Sequence, residues 1–324
     1  MSESEMLVAA RRFNSEGVGQ PLAALAEISD TPPSTGFDWI HLDASAGDLS
    51  AELHRLGADN LIVEALLAAD TRPRCSVVGE TALVNLRGVN LNPDNAPEDM
   101  VSIRLWITSH RVISVRLRRL KAVTDLLDAV DRGLALKTPA ALVAGLSLRL
   151  VDRMSPTIAS LNEDIDELED QVVDSWHAEA RNKIGELRRE AIMLRRYLAP
   201  QRDALNSLAI EQFVWIADRD RNRLREAADQ TARLTEDLEA VRERAAIVRD
   251  QVAEMRADQM NRNMMLLSIA AAIFLPLGLL AGMLGMNVGG VPGVDDTLAF
   301  WWVTLGLAVS GGAMAWLFKR AGWF

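Results

Sequence analysis

Two long apolar runs near the end of the chain constrain its fold more than any other feature. Residues 264–284 and residues 298–318 contain no charged side chain and are separated by a short loop, 285–297. A helix needs about 20 consecutive apolar residues to cross the hydrocarbon core of a bilayer. Each run has that length, so the sequence predicts two transmembrane helices that follow a large region outside the membrane.

Composition argues against several classes of function. The net charge of −10 argues against a nucleic-acid partner, because DNA and RNA binding depends on basic surfaces. Cys75 is the single cysteine, and the four histidines are far apart in sequence, so no cysteine or histidine metal cluster is expected. No GxxxxGK motif occurs, which argues against an ATP-driven pump. We therefore expect no enzymatic activity and no cofactor.

The basic residues around the two runs predict the orientation of the chain. Arg256 and Arg262 precede the first run and Lys319 and Arg320 follow the second, whereas the loop 285–297 has no Lys or Arg. Positive residues stay on the cytoplasmic side of a membrane protein. We expect a multi-pass protein of the cytoplasmic (inner) membrane with both termini in the cytoplasm.

The region before the spans divides into two parts. Residues 1–150 predict a cytosolic α/β domain, with strands at 39–42, 75–78 and 82–89, a hairpin at 102–117, and helices at 48–56, 61–69 and 123–130. Residues 151–260 predict a helical hairpin and a stalk helix, and residues 261–324 a transmembrane pore domain. The fold class is therefore an α+β membrane protein.

Apolar residues in steps of three and four predict the helices of the middle part. One such series runs from Val151 to Val172 and another from Leu224 to Met255, as in a coiled coil. A break is predicted at residues 175–177, and Pro200 is a candidate kink or turn. Nothing interrupts the second series before the first apolar run, so one continuous helix is predicted from 212 to 284.

The triplet Gly285-Met286-Asn287 lies where the first span ends. An amide side chain at this depth is costly unless it is hydrated or lines a pore. Amide and carbonyl oxygens arranged around an axis suit small divalent ions that keep their inner waters. Two spans per chain cannot enclose such a pore, so several copies must share an axis, and Gly278-xxx-Gly282 favours close helix packing.

The stretch 261–287 resembles the first membrane helix of the CorA superfamily of divalent cation transporters. The resemblance is carried by Ala272-Ile273-Phe274-Leu275-Pro276-Leu277, by Ala281-Gly282 and by the Gly-Met-Asn triplet. The order of an acidic α/β domain, a stalk helix and two C-terminal spans is similar as well. After the triplet, residues 288–293 depart from the magnesium transporters and resemble the ZntB branch, which is associated with zinc.

The resemblance implies a homopentameric funnel with a central pore for divalent cations. Zinc is the expected ion, with magnesium, cobalt or nickel as alternatives, and proton coupling is a property reported for the ZntB-like branch. The entrance would be formed by Gly285, Met286 and Asn287, with the hydrated metal at Asn287. The pore-lining residues carried over are Asn261, Met264, Leu267, Ser268, Leu275 and Gly278.

Two further interpretations stay open at this stage. Asp295 and Asp296 in the outer loop either attract cations or simply form an exposed turn. The acidic residues between 163 and 170 either form a solvated helix face or bind regulatory cations between subunits.

Two alternative functions are a magnesium or cobalt channel of the same superfamily and a membrane-anchored coiled-coil scaffold. The expected partners are other copies of the chain, membrane lipid and divalent cations.

Overall fold

The computed structural model describes residues 6–69, 71–174, 178–286, 288, 289, 291, 293 and 296–322. The chain forms two compact units, residues 1–248 and residues 249–324. The division into 1–150, 151–260 and 261–324 stays a prediction.

A mixed sheet forms the centre of the first unit. Within the described residues its seven strands are ordered β2-β1-β3-β7-β6-β5-β4. Strands β3 and β7 pair in parallel, and the other neighbours pair antiparallel. The strands are β1 Leu7–Phe13, β2 Gly19–Pro21, β3 Phe37–Asp43, β4 Arg74–Val78, β5 Thr81–Gly88, β6 Val101–Ile107 and β7 Arg111–Arg116. Strands β1 and β2 are absent from the sequence prediction, whereas the β6–β7 hairpin was predicted.

Short helices cover one face of this sheet. Helices α1 (Ser50–Arg55) and α2 (Asn60–Leu67) pack in a cluster with Ile40, Leu42 and other apolar side chains of the sheet. Side chains of a strand alternate between its two faces, which is why Ile40 and Leu42 share this core. Helix α2 begins where the Asp59 carboxylate accepts a hydrogen bond from the Ile62 amide at 2.9 Å, as an N-cap residue does.

Longer helices pack on other parts of the sheet. Helix α3 (Lys121–Asp131) packs on α4 (Pro139–Asp174), and α4 and α5 (Ala178–Ile210) both contact β5. Helix α4 begins with Pro at its first position, preceded by Thr138, whose hydroxyl accepts from the Ala141 amide at 2.9 Å. Pro200 lies inside α5 and does not end it. The predicted break at residues 175–177 lies outside the described residues.

The long helix α6 (Asp218–Leu284) begins six residues later than predicted. The reason is an aromatic turn before it: Phe213 stacks on Trp215 at 4.7 Å, and the Trp215 indole donates to the Glu80 carbonyl at 3.1 Å. These contacts hold the turn between α5 and α6 against the β4–β5 turn. Along α6, the predicted apolar series is buried as far as Val252, but Met255 is 40% exposed.

The second unit contains the end of α6 and helix α7 (Ala299–Arg320). Both helices are long and apolar enough to cross a membrane, and little of either apolar window is buried inside the chain. Soluble proteins protect apolar side chains from water, so this exposure favours a lipid environment for both helices.

Candidate functional site

The predicted pore residues lie on one face of α6. Their numbers advance by three or seven, except at the adjacent pair Leu267 and Ser268, which places them along one side of a helix. All of them are exposed in the single chain, and Leu275 is the most exposed of the apolar ones at 78%. They are Asn261, Met264, Leu267, Ser268, Leu275 and Gly278. A Cβ atom added at Gly278 would meet no other atom within 4 Å, so this face is open.

The opposite face of α6 contacts α7. A Cβ atom built on Gly311 of α7 would lie 3.2 Å from the Leu277 Cδ1 atom, so the two helices are in close contact there. Ile269, two turns earlier on the same side as Leu277, is only 6% exposed. Helix α7 therefore contacts the side of α6 that bears Leu277, whereas Met264 and Leu275 on the other side are exposed.

Part of the predicted entrance is described. Helix α6 ends at Leu284, and the Gly285 amide still donates to the Ala281 carbonyl at 2.9 Å. Met286 is 53% exposed, and its carbonyl accepts from the Val288 amide at 3.0 Å. Asn287, the predicted site of the hydrated metal, lies outside the described residues.

The loop between the two apolar helices gives Asp296 a local structural contact. Its carboxylate accepts a hydrogen bond from the Leu298 amide at 2.8 Å, and its carbonyl accepts from the Ala299 amide at 3.1 Å. This is the local turn that an Asp side chain commonly forms before a helix. Asp295, the other residue predicted to attract cations, lies outside the described residues.

The acidic series of α4 is paired with basic side chains of neighbouring helices. The Lys183 ammonium lies 2.9 Å from Asp164, and the Arg244 guanidinium hydrogen-bonds to Glu169 and Asp166. These carboxylates raise the pKa values of Arg244 and Lys183 above their ordinary values, mainly through the hydrogen bonds. The pairs favour a structural role for these acids over the regulatory cation site considered from the sequence.

A bare metal ion has no obvious protein-only site in the described part of the chain. No group of three or more His, Cys, Asp or Glu side chains there is arranged to hold one. Amide and carbonyl oxygens around a shared axis act differently, because they hydrogen-bond to the waters of an ion that stays hydrated. The exposed face of α6 and the end of this helix are compatible with that second kind of site.

Sequence comparison decides the family. Residues 34–320 match the family described as CorA-like Mg²⁺ transporter protein. The chain belongs to the CorA family. It is a transporter of divalent cations and not an enzyme, as the sequence analysis predicted.

Two relatives and one solved structure illustrate the match. The chain is 38% identical to the divalent cation transporter CmaX of Pseudomonas aeruginosa, over 88% of this chain and 87% of that protein. It is 33% identical to the zinc transport protein ZntB of Pectobacterium atrosepticum, again over 88% and 87%. The solved structure of full-length CmaX superposes with a TM-score of 0.83 and 35% identity, covering 98% of both chains. The predicted architecture, an N-terminal α/β domain, a long helix and two C-terminal apolar helices, is thereby confirmed.

Sequence reasoning missed the residues that orient the long helix. Arg244 and its acidic partners are 75 and 78 positions apart, and Trp215 and Glu80 are 135 apart. The charge pattern indicated that α4 and α6 are rich in charged residues, but not which charges meet. Such pairs depend on how the helices pack, which a single sequence does not specify.

Proposed function

We propose that this chain forms a homopentamer in the cytoplasmic membrane and carries zinc into the cytoplasm through a central pore. Gly285, Met286 and Asn287 form the outer entrance, and both termini lie in the cytoplasm. The pore face consists of the exposed side chains of α6 described above. Basic residues flank the cytoplasmic ends of the spans, which supports this orientation.

The observation that carries the proposal is the arrangement of the two membrane helices. Helix α7 contacts α6 at Leu277, and the residues of the candidate pore face lie on the other side of α6, where they are exposed. In a ring of copies, that free face is available to line an axis while α7 separates α6 from lipid. A hairpin that served only as an anchor would not need to keep Asn261 and Ser268 on one uncovered face.

The chemistry of the pore face suits a hydrated cation. Asn287 and the carbonyls at the end of α6 hydrogen-bond to the waters of the ion, so the ion need not lose its inner shell. Rings of Met264, Leu267 and Leu275 side chains form an apolar constriction that closes by excluding water. The absence of charge in residues 264–284 fits a path in which the water shell, and not a carboxylate, contacts the protein.

Zinc is favoured over magnesium by two sequence features. One is the similarity to proteins named as zinc transporters, and the other is the loop 288–293, which departs from the magnesium transporters. The family description names magnesium and the CmaX relative is named for divalent cations in general, so a magnesium or cobalt channel is the competing function.

The driving force comes from the membrane and not from a nucleotide. Neither apolar run contains Asp, Glu or His that would relay a proton through the bilayer. A membrane potential alone contributes about 2.3 kcal/mol per elementary charge for each 100 mV. The membrane potential is thus sufficient to drive a divalent cation into the cytoplasm. Proton coupling would need a chain of water molecules to carry the proton, because the spans offer no titratable side chain.

An uptake experiment with several metals tests the proposal. Purified full-length protein in liposomes is supplied with zinc, magnesium, cobalt or nickel at several proton gradients, and metal entry is followed with an internal dye. Zinc is expected to enter fastest, and protein-free vesicles give the background rate. Faster entry of magnesium than of zinc would favour the competing channel, and background rates for all four metals would favour the scaffold.

A further inference from the structure

The two membrane helices face each other next to their connecting loop but leave a cavity of about 410 Å³ between them. We call it the loop-side cavity. From the contact between Leu277 and Gly311, its lining positions advance along both helices in steps of three and four, so they continue the faces that meet there. The helices are thus close at Leu277 and separated one to two turns further along. The lining includes Ala281, Leu284 and Gly285 of α6 and Val303, Thr304 and Leu307 of α7.

The lining of the loop-side cavity is apolar. Among the described residues that line it, none is charged and Thr304 has the only polar side chain. The Thr304 hydroxyl already donates to the Phe300 carbonyl at 2.8 Å. A buried water needs about two to four polar partners. Hydrocarbon therefore suits this cavity better than water does.

The size and shape of the cavity suit a hydrocarbon chain. A cavity of about 150 Å³ already holds a benzene-sized group, so one side chain from a second copy would leave most of this cavity empty. The lining extends along α7 from Ala299 to Leu307, which is about 12 Å at about 1.5 Å per residue. An elongated apolar space of this kind fits an acyl chain that lies along the helices.

Aromatic side chains connect the cavity to the lipid around the protein. Phe300 lines the cavity and is also 70% exposed, so its ring lies where the cavity opens to the surroundings. Trp301 and Trp302, which follow it, are each 67% exposed. Exposed aromatic residues at the end of a membrane helix lie at the level of the lipid headgroups. The cavity thus begins at headgroup level and continues into the hydrocarbon core.

We propose that the loop-side cavity binds an acyl chain of a phospholipid from the adjoining leaflet of the membrane. The headgroup lies near Trp301 and Trp302, and the chain extends between α6 and α7 toward the contact of Leu277 with Gly311. Gly285 lines the cavity and begins the proposed entrance, so the bound chain supports the end of α6 from the side. The lipid site does not depend on which ion is carried, whereas this link to the entrance rests on the proposed function.

Photolabelling in liposomes tests the site directly. Full-length protein is placed in phosphatidylethanolamine and phosphatidylglycerol vesicles that contain a phospholipid with a diazirine in its acyl chain. After irradiation, mass spectrometry is expected to locate label on Val303 and Leu307, which line the cavity. Label confined to Leu305 and Val309, which are exposed elsewhere on α7, would overturn the inference. A second copy seated in the cavity would give this same negative result.

A cavity-filling substitution with a matched control tests the same point. Val303→Phe places a ring in the cavity and should remove most of the label from Leu307. Val309→Phe makes the same change at a position that is 64% exposed on the other side of α7, and it should leave the label on Leu307 unchanged. Undiminished labelling of Leu307 in Val303→Phe would contradict the inference.

Thermal unfolding gives a second readout. A ligand that binds the folded state raises the melting temperature. Phospholipid added to the protein in detergent should therefore raise the melting temperature of the wild type and of Val309→Phe more than that of Val303→Phe. Equal rises in all three proteins would contradict the inference, and the melts without added lipid show whether each variant is folded.

Zinc uptake separates this inference from the proposed function. Protein that carries zinc but takes no label at Val303 and Leu307 would overturn the lipid site alone. Protein that is labelled there but carries no metal would support the lipid site and overturn the proposed function.

Discussion

At the scale of single residues, His41 has a strongly shifted pKa among the described residues of the first unit. Its ring is fully buried on β3, its Nδ1 atom lies 2.8 Å from the Ser114 hydroxyl, and that hydroxyl accepts from the Trp39 indole at 2.9 Å. Burial, together with the charge of Arg116, lowers the pKa of His41 to about 3. The imidazole is therefore neutral in the folded protein near pH 7.

This burial predicts a loss of stability in acid. In the unfolded chain a histidine takes up a proton near pH 6.5, but in the folded chain His41 does so only near pH 3. The stabilising contribution is complete above pH 6.5 and is lost as the pH falls toward 3, by about 2 kcal/mol at pH 5. His41→Leu should reduce the fall in melting temperature between pH 7 and pH 5, measured on the full-length protein in detergent.

Ser114→Ala is the matched control for this prediction. It removes the same hydrogen bond but keeps the imidazole buried, so the pH dependence of the wild type should persist. An unchanged pH dependence in His41→Leu would show that other groups govern acid stability.

The sequence placed His41 on a predicted strand, at 39–42, but gave no sign of its burial. Alternation along β3 assigns His41 to the face opposite Ile40 and Leu42, and whether that face is covered depends on elements far away in sequence. Asp38 illustrates the same limit, because its fully buried carboxylate is paired with Arg12 of β1, a strand that the sequence did not predict.

At the scale of elements, the stalk helix was predicted well along its length and poorly at its start. The apolar series from Leu224 to Val252 is local information, and the structure buries it as expected. The first residue of the helix depends on Trp215, whose indole bonds to a carbonyl of the distant β4–β5 turn. The apolar periodicity cannot reveal such a contact, so the helix was predicted to begin at residue 212 and not at Asp218.

We predict that positions on the candidate pore face of α6 are accessible to water and that positions on its opposite side are not. Single cysteines at Asn261, Ser268 and Gly278, in the Cys75→Ser background, should react with a membrane-impermeant thiol reagent in the assembled protein. Cysteines at Ile269 and Leu277 should be protected, because Ile269 is buried and Leu277 contacts α7. Reaction rates are read by mass spectrometry of the labelled protein.

Added zinc should slow labelling at the reactive positions if the ion shares their path. Equal reactivity at all five positions, or faster labelling of Ile269 than of Ser268, would contradict the assignment of the pore face.

At the scale of the whole molecule, the order of the domain and helices along the chain was predictable, but the side-chain contacts between helices were not. Two uncharged runs, a long apolar series and the Gly-Met-Asn triplet are local features, and together they led to the CorA family that the comparison confirms. The acidic series of α4 was ambiguous, because its meaning depends on the Arg244 and Lys183 side chains that the fold brings to it. The ion carried and the number of copies stay predictions.

The central claim is that Asn287 side chains from several copies contact a hydrated zinc ion at the mouth of a shared pore. Zinc uptake by liposomes containing Asn287→Ala, with Val288→Ala as the neighbouring control, tests it most directly. Background uptake is expected for Asn287→Ala and wild-type uptake for Val288→Ala in equal amounts of assembled protein. Wild-type uptake by Asn287→Ala would contradict it.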